Sequence, residues 1–228
     1  MSSVLSKTGR LRAAINLGNP VLAQRTAAGE FTGVTVALAR ALAEQEGLEL
    51  EFIPYDGAGK VVEAAGADAW DLAFLAIDPK RATQIAFTRP YLTIEGVFVV
   101  AASSPFRSLQ DIDQQGVRIS VGRGAAYDLH LTRTLKHAEI VRVPTSDEAL
   151  PHFLSQGLEA GAGIRQPAAA FVARNPGVRL IEEPFMEIRQ AMAVPIATSG
   201  ALPLVQEFLD SAISSGLVAD EMRAREPK

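Results

Sequence analysis

The chain has 228 residues, of which 48% are hydrophobic and 21% charged, as in folded globular proteins and unlike disordered chains. Its net charge is −4 and its 22 Lys and Arg residues are scattered, so no basic patch indicates nucleic-acid binding. It has no cysteine, which excludes disulfides, thiolate metal sites and cysteine nucleophiles. No apolar run approaches the roughly 20 residues that would span a bilayer.

The first hundred residues alternate predicted strands with predicted helices. Strands are predicted at residues 11–16, 48–53, 71–77 and 96–102 from alternating or continuous apolar patterns. A helix is predicted from residue 34 to Gly47, because the apolar residues between them recur at helical spacing, and a shorter one at 61–65. This alternation is typical of βαβ units with parallel strands.

A second series of the same kind follows. Strands are predicted at 117–121, 140–143, 161–164, 178–181 and 190–194, and helices at 127–136 and from a Ser146 cap to about 156. A last amphipathic helix contains Leu204, Phe208, Ala212 and Ile213. The sequence therefore predicts an α/β fold of two lobes, residues 1–101 plus 190–228 and residues 102–189, each a mainly parallel sheet flanked by helices.

Residues 71–91, DLAFLAIDPKRATQIAFTRPY, resemble a signature of the family 3 (polar amino acid type) extracellular solute-binding proteins. Residues 33–42, 109–112, 117–126 and 191–195 resemble further segments of that family, so the likeness covers nearly the whole chain. The resemblance implies a two-lobed, periplasmic-binding-protein-like type II fold. It also implies a ligand held in a cleft by lobe closure, as in the substrate-binding domains of ABC transporters.

Arg81 matches the arginine with which this family grips a ligand carboxylate. A guanidinium offers a rigid fork of donors, so its bidentate contact with a carboxylate is strong and directional. The alternative is a surface arginine that pairs with Asp78 or with solvent. With the surrounding motif, ligand binding is the preferred interpretation.

The turn at 122–126, with sequence GRGAA, matches the family turn that meets the same carboxylate from the other lobe. Backbone N–H groups at Gly124, Ala125 and Ala126 and the start of a helix suit an anion. The alternative is an ordinary tight turn between a strand and a helix. Asp128, in the first turn of that helix, is expected to serve the helix dipole.

Several positions depart from the family pattern. Ala76 stands where the family has a hydroxyl side chain, and Gly124, Ala125 and Ala126 replace a Gly-Thr pair. Asn19 replaces an aromatic residue that stacks on the ligand in many members. These positions remain candidate ligand contacts, with fewer polar side chains than the resemblance implies.

Arg165 is the most consequential departure, because amino-acid binders have an Asp there that holds the ligand's ammonium group. A cation at this position would repel an ammonium. Two interpretations stay open: Arg165 binds a second acidic group of the ligand, or it pairs with Asp78 as a latch between the lobes. The ligand is therefore expected to be a small organic anion, a carboxylate or dicarboxylate.

The predicted function is non-enzymatic binding of this anion by a monomer, with no catalytic residue, cofactor or metal. The protein would serve an ABC permease if it is exported, or act as a stand-alone metabolite-binding protein. The alternatives are a prephenate/arogenate dehydratase-like enzyme of the same fold, and a degenerate sensory or interaction domain. The N-terminus lacks the apolar segment of a secretory signal, so a cytoplasmic location is expected, or a periplasmic one if a signal was removed.

Overall fold

In the computed structural model, which describes residues 4–6 and 8–224, strands and helices alternate along most of the chain. The outermost residues of the predicted first lobe, 1–3 and 225–228, lie outside the described residues, as does Lys7.

The described residues contain the following strands: β1 (Arg10–Asn16), β2 (Gln24–Arg25), β3 (Phe31–Thr32), β4 (Glu49–Tyr55), β5 (Leu72–Ala76), β6 (Ile85–Ala101), β7 (Arg118–Gly122), β8 (Glu139–Val143), β9 (Ala160–Ile164), β10 (Val178–Leu180) and β11 (Met186–Pro195). The α-helices are α1 (Val34–Gln45), α2 (Ala58–Ala64), α3 (Leu109–Ile112), α4 (Ala126–Thr134), α5 (Ser146–Ser155), α6 (Arg165–Arg174), α7 (Leu202–Ser214) and α8 (Leu217–Arg223). Short 3₁₀ helices cover Ala65–Ala67, Arg81–Thr83 and Ile196–Ala201.

The chain divides into two compact units, Met1–Leu92 with Arg189–Lys228, and Thr93–Ile188. The sequence prediction placed the boundaries after residues 101 and 189. The α/β fold class predicted for both lobes is confirmed, because each unit contains parallel strands with helices between them.

In the first unit, β4, β1 and β5 pair in parallel and β11 pairs antiparallel with β5. Neighbouring side chains of β1 pack on opposite faces, as strand geometry requires. Ala13 and Ile15 join a core with α1, α7 and α8, whereas Ala14 joins a smaller core with α2 and Trp70. The parallel strands therefore have apolar cover on both faces, and their carboxyl ends lead into loops.

The second unit has a similar order of strands. β8, β7 and β9 pair in parallel, β6 pairs antiparallel with β9, and β10 pairs antiparallel with β6. Val97 and Val99 of β6 pack with Leu150 and Phe153 of α5. At Gly161 of β9 an added Cβ would lie 2.8 Å from Leu150 Cδ2, so the small residue lets α5 lie close to the sheet.

The short elements β2, β3, α3 and α8 were not predicted, β11 begins at Met186 rather than at 190, and three further differences have a physical reason. β6 begins at Ile85 rather than near residue 96. The early part of this strand was not predicted, because its buried residues recur at every third position instead of alternating. Helix α6 was not predicted, because a proline usually indicates that a helix ends or is absent. Pro167 lies in the first turn of α6, where helices tolerate proline. The N-cap of α5 is Thr145, and Ser146 is the first helical residue.

No helix of the described residues is long and apolar enough to cross a membrane.

Gly33, which caps α1, has φ +130°, and an added Cβ would lie 2.1 Å from the carbonyl oxygen of Leu22. We expect Gly33→Ala to lower the free energy of unfolding by about 2–3 kcal/mol, because the backbone strain and the clash add. Urea unfolding checks this. Gly66→Ala is the control, because a Cβ there has no neighbour within 4 Å. Equal unfolding midpoints for the two variants would contradict the expectation.

Candidate functional site

Arg81 lies in the loop that follows β5, at the first residue of a 3₁₀ helix. Its side chain is almost completely buried, with 2% of the residue exposed. Nη1 donates a hydrogen bond to the backbone carbonyl of Ala76 at 3.0 Å. The structure thus brings together two of the predicted site residues, although Ala76 contributes its backbone rather than its side chain.

Asp78 stabilises the same loop. Its Oδ1 accepts the backbone N–H of Lys80 at 2.8 Å, and its carbonyl accepts the N–H of Ala82 at 2.9 Å. Such a side-chain bond to the backbone two residues ahead is a common turn-forming device of aspartate. Asp78 is also buried, so the loop holds a buried carboxylate three residues before the buried guanidinium. The pairing of Asp78 with Arg165 stays a prediction.

Asn19 is buried in the loop that follows β1. Its Oδ1 accepts the N–H of Val21 at 3.3 Å, and its carbonyl accepts those of Leu22 and Ala23. These bonds shape the backbone between β1 and α1. A direct contact between Asn19 and a ligand stays a prediction.

The turn at 122–126 lies where the sequence analysis placed it, between β7 and α4. Gly124 has φ +71°, which favours glycine. Its N–H donates to Asp128 Oδ2 at 2.8 Å, and the N–H of Ala125 donates to the carbonyl of Gly122 at 3.2 Å. The amides of Gly124 and Ala125 are therefore engaged within the turn, and a contact between this turn and an anion stays a prediction.

Asp128 organises this turn more extensively than the sequence indicated. The carboxylate is buried and receives, besides the Gly124 N–H, a contact from Arg142 Nε at 3.0 Å. Thr132 Oγ1 lies 3.3 Å from Asp128 Oδ1. A carboxylate in the first turn of a helix stabilises its positive dipole end, as expected for Asp128. The Arg142 partner comes from β8 and had no recognisable signal in the sequence.

Arg165 is the first residue of α6 and is paired with two glutamates of its own unit. Nε contacts the carboxylate of Glu95, and Nη2 donates to the backbone carbonyl of Glu182 at 2.6 Å. The Glu182 carboxylate lies 3.6 Å from Nη1. Both glutamates are distant in sequence, so the sequence analysis missed them. Their charges offset that of Arg165, and its repulsion of an ammonium group is weaker than the sequence analysis assumed.

Two buried tyrosines lie in or directly after the segments that resemble the family. Tyr91 ends the signature at 71–91, and Tyr127 lies at the second position of α4. Burial raises the pKa of both phenols, so both stay neutral at physiological pH. Within the described part of the chain, no group of three or more His, Asp or Glu residues is arranged to hold a metal ion.

Comparison with protein families gives one matching family model. The model of bacterial extracellular solute-binding proteins, family 3, matches residues 11–219.

Solved structures of binding proteins share the fold. An ancestral arginine-binding protein bound to arginine has a TM-score of 0.83 at 23% identity, covering 96% of this chain and 99% of that chain. A mutant of ArgBP from T. maritima has a TM-score of 0.81 at 21% identity, covering 95% and 94%. An ancestral amino acid-binding protein described as a precursor of cyclohexadienyl dehydratase has a TM-score of 0.80 at 22% identity, covering 96% of both chains. The predicted periplasmic-binding-protein-like fold is confirmed.

One curated relative is an enzyme. Cyclohexadienyl dehydratase of Pseudomonas aeruginosa is 29% identical over 143 residues, which are 60% of this chain and 53% of the enzyme. The chain thus spans about half the length of the curated relative that it matches.

The Asp128 contacts predict a large effect on stability. We expect Asp128→Ala to lower the free energy of unfolding by about 3 kcal/mol, because the Gly124 N–H and the Arg142 guanidinium both lose a buried acceptor. Urea unfolding followed by circular dichroism measures the loss. Asp220→Ala, which removes an exposed ion pair with Arg223, should cost less than about 1 kcal/mol. Similar losses in both variants would contradict the role given to Asp128.

Proposed function

Because this chain belongs to the family 3 bacterial extracellular solute-binding proteins, we propose that it binds a small carboxylate-bearing solute through Arg81. The observation that carries the proposal is the burial of the Arg81 guanidinium at the carboxyl end of β5. Loops at the carboxyl ends of parallel strands are the usual ligand positions in α/β proteins.

Burial makes Arg81 suited to one ligand group. A guanidinium keeps its charge in any protein environment, and away from water its attraction for a carboxylate is stronger than on an exposed surface. The bond from Nη1 to Ala76 fixes the direction of the fork. A ligand carboxylate can then be bound without ordering a flexible side chain, which lowers the entropic cost of binding.

Arg165 is the proposed determinant of which second chemical group the ligand carries. Glu95 and Glu182 supply two negative charges around one positive charge, so the cluster as a whole is acidic. We propose a small organic anion as the ligand. A second acidic group of this ligand would bind Arg165 when the side chain of Glu95 or Glu182 moves away from the guanidinium. If the cluster instead acts as a unit, ligands that carry an ammonium group will bind better than dicarboxylates.

We propose the transport role, as the substrate-binding component of an ABC-type uptake system, ahead of a stand-alone metabolite-binding role. The family match supports the former. Transport requires export, so the proposal places the protein on the outer side of the membrane that carries the permease.

The Arg81 proposal predicts ligand-dependent stabilisation. Succinate, malate, glutamate, arginine and lysine are screened by thermal shift, and at 100 times its Kd a bound compound should add about 2.7 kcal/mol to the wild-type stability. Arg81→Lys keeps the charge but loses the bidentate fork, so we expect the affinity for the same compound to fall at least about tenfold.

Two controls protect this test. The ligand-free melting temperature of Arg81→Lys shows whether the variant is folded, and Arg189→Gln removes an exposed arginine of the same unit. Arg189→Gln should bind as the wild type does. Stabilisation of the wild type by none of the five compounds, or equal affinity in Arg81→Lys, would overturn the proposal.

Glu95→Gln tests the role of Arg165. Removing one carboxylate from the guanidinium should favour dianions, so we expect the affinity for succinate relative to that for arginine to rise about tenfold. Titration calorimetry measures both ligands. Glu187→Gln removes an exposed glutamate of the same unit and should leave the ratio unchanged. An unchanged ratio in Glu95→Gln would show that Arg165 does not contact the ligand.

A second candidate function is a dehydratase activity, favoured by the identity with cyclohexadienyl dehydratase. Loss of water needs an acid that protonates the departing hydroxyl group. Incubation with prephenate, followed by mass spectrometry, detects a product lighter by one water and by carbon dioxide. Unchanged prephenate after prolonged incubation would remove this candidate and leave the binding role.

A further inference from the structure

Two arginines of the second unit converge on one pair of backbone carbonyls. Arg107 follows β6, and its Nη1 donates to the carbonyl oxygens of Ser104 at 2.7 Å and Phe106 at 2.9 Å. Arg179 belongs to β10, and its Nη2 donates to the same two oxygens at 2.9 and 2.6 Å. Because both nitrogens share two acceptors, the two guanidinium groups are close neighbours.

The pair lacks an ion-pair partner among the residues that the structure describes. Neither Arg107 nor Arg179 takes part in an ion pair there. Asp111 lies four residues after Arg107; its Oδ2 accepts the backbone N–H groups of Arg107 and Ser108, and these bonds, with the charge of Arg107, lower its pKa. Carbonyl oxygens carry partial charges only, and the single Asp111 carboxylate already accepts two backbone N–H groups, so a net positive charge stays at this place.

The repulsion between the two guanidinium groups affects the pKa of Arg179, the more buried of the two arginines. Burial, and after it the charge of Arg107, lower the pKa of Arg179. An arginine keeps its proton despite such a shift, so the two positive charges persist. A bound anion would relieve the repulsion, which gives the pair an affinity that isolated surface arginines lack.

Donors remain for such an anion. A guanidinium has five N–H groups. In the described part of the chain, Nε and Nη2 of Arg107 and Nε of Arg179 donate to no protein acceptor. These donors belong to two planar forks, the geometry that matches the oxygens of a phosphate group.

We propose that Arg107 and Arg179 form a binding site for a phosphate group, separate from the Arg81 site. Two positive charges match a phosphate, which carries about 1.5 to 2 negative charges at pH 7, better than a carboxylate with one. Both arginines and both carbonyls lie within the second unit, so the site needs no contribution from the first. The proposal is independent of the ligand bound at Arg81.

The test is a nuclear magnetic resonance titration of the full chain with inorganic phosphate, phenyl phosphate and sodium acetate at matched ionic strength. We expect saturable shifts of the backbone amides of 104–108 and of the Nε–Hε signals of Arg107 and Arg179 with phosphate. Acetate should bind about tenfold more weakly, because it carries one charge. Saturable binding of phenyl phosphate as well as inorganic phosphate would show that the site accepts a phosphate monoester, and binding of inorganic phosphate alone would show that it accepts only the free ion.

Arg107→Gln is the decisive variant, because Arg107 is exposed and its removal leaves Arg179 to hold the two carbonyls. We expect its phosphate affinity to fall about tenfold. Arg174→Gln, an exposed arginine of α6 with the same change of charge, should stay within about twofold of the wild type. The spectrum of Arg107→Gln without ligand confirms folding. Linear shifts without saturation, equal response to acetate, or unchanged affinity in Arg107→Gln would each overturn the proposal.

Discussion

The burial of full charges in the loops that follow parallel strands is the constraint on which the site depends. Arg81 is 2% exposed, and a guanidinium removed from water is stable only where fixed dipoles or opposite charges replace its hydration. The first unit does part of this with the carbonyl of Ala76. The same loop buries a second charge, the carboxylate of Asp78. Backbone N–H groups, such as that of Lys80, stabilise this carboxylate by hydrogen bonds. The loop is therefore rigid before any ligand arrives.

In the second unit, side chains of opposite charge stabilise the buried and half-buried charges. Asp128 holds the turn before α4 and is matched by Arg142, while Arg165 is surrounded by Glu95 and Glu182. In both clusters the opposite charges come from the same unit and from residues that are far apart in sequence. The groups proposed to bind a ligand thus also stabilise the fold, and changes at them are expected to affect folding as well as binding.

The fold could be predicted from the sequence to a large extent because its signals are local. Apolar periodicity located β1, α1 and β5 to within a few residues. The early part of β6 escaped because burial every third residue does not resemble a strand. The ligand-binding role of Arg81 stays a prediction, which rests on its place inside a recognisable segment. The partners of Arg165 could not be predicted, because a single sequence carries no information on which charges 70 residues apart will meet.

The grouping of Glu95, Arg165 and Glu182 limits how a homologue with an acid at position 165 could be converted into this protein by single substitutions. Replacing that acid by arginine alone would leave an unmatched cation, and adding the glutamates first would gather like charges. Single substitutions at any one of these three positions are therefore expected to be destabilising. The three residues should change together in evolution. Homologues with Asp at the position of Arg165 are then expected to lack acids at the positions of Glu95 and Glu182.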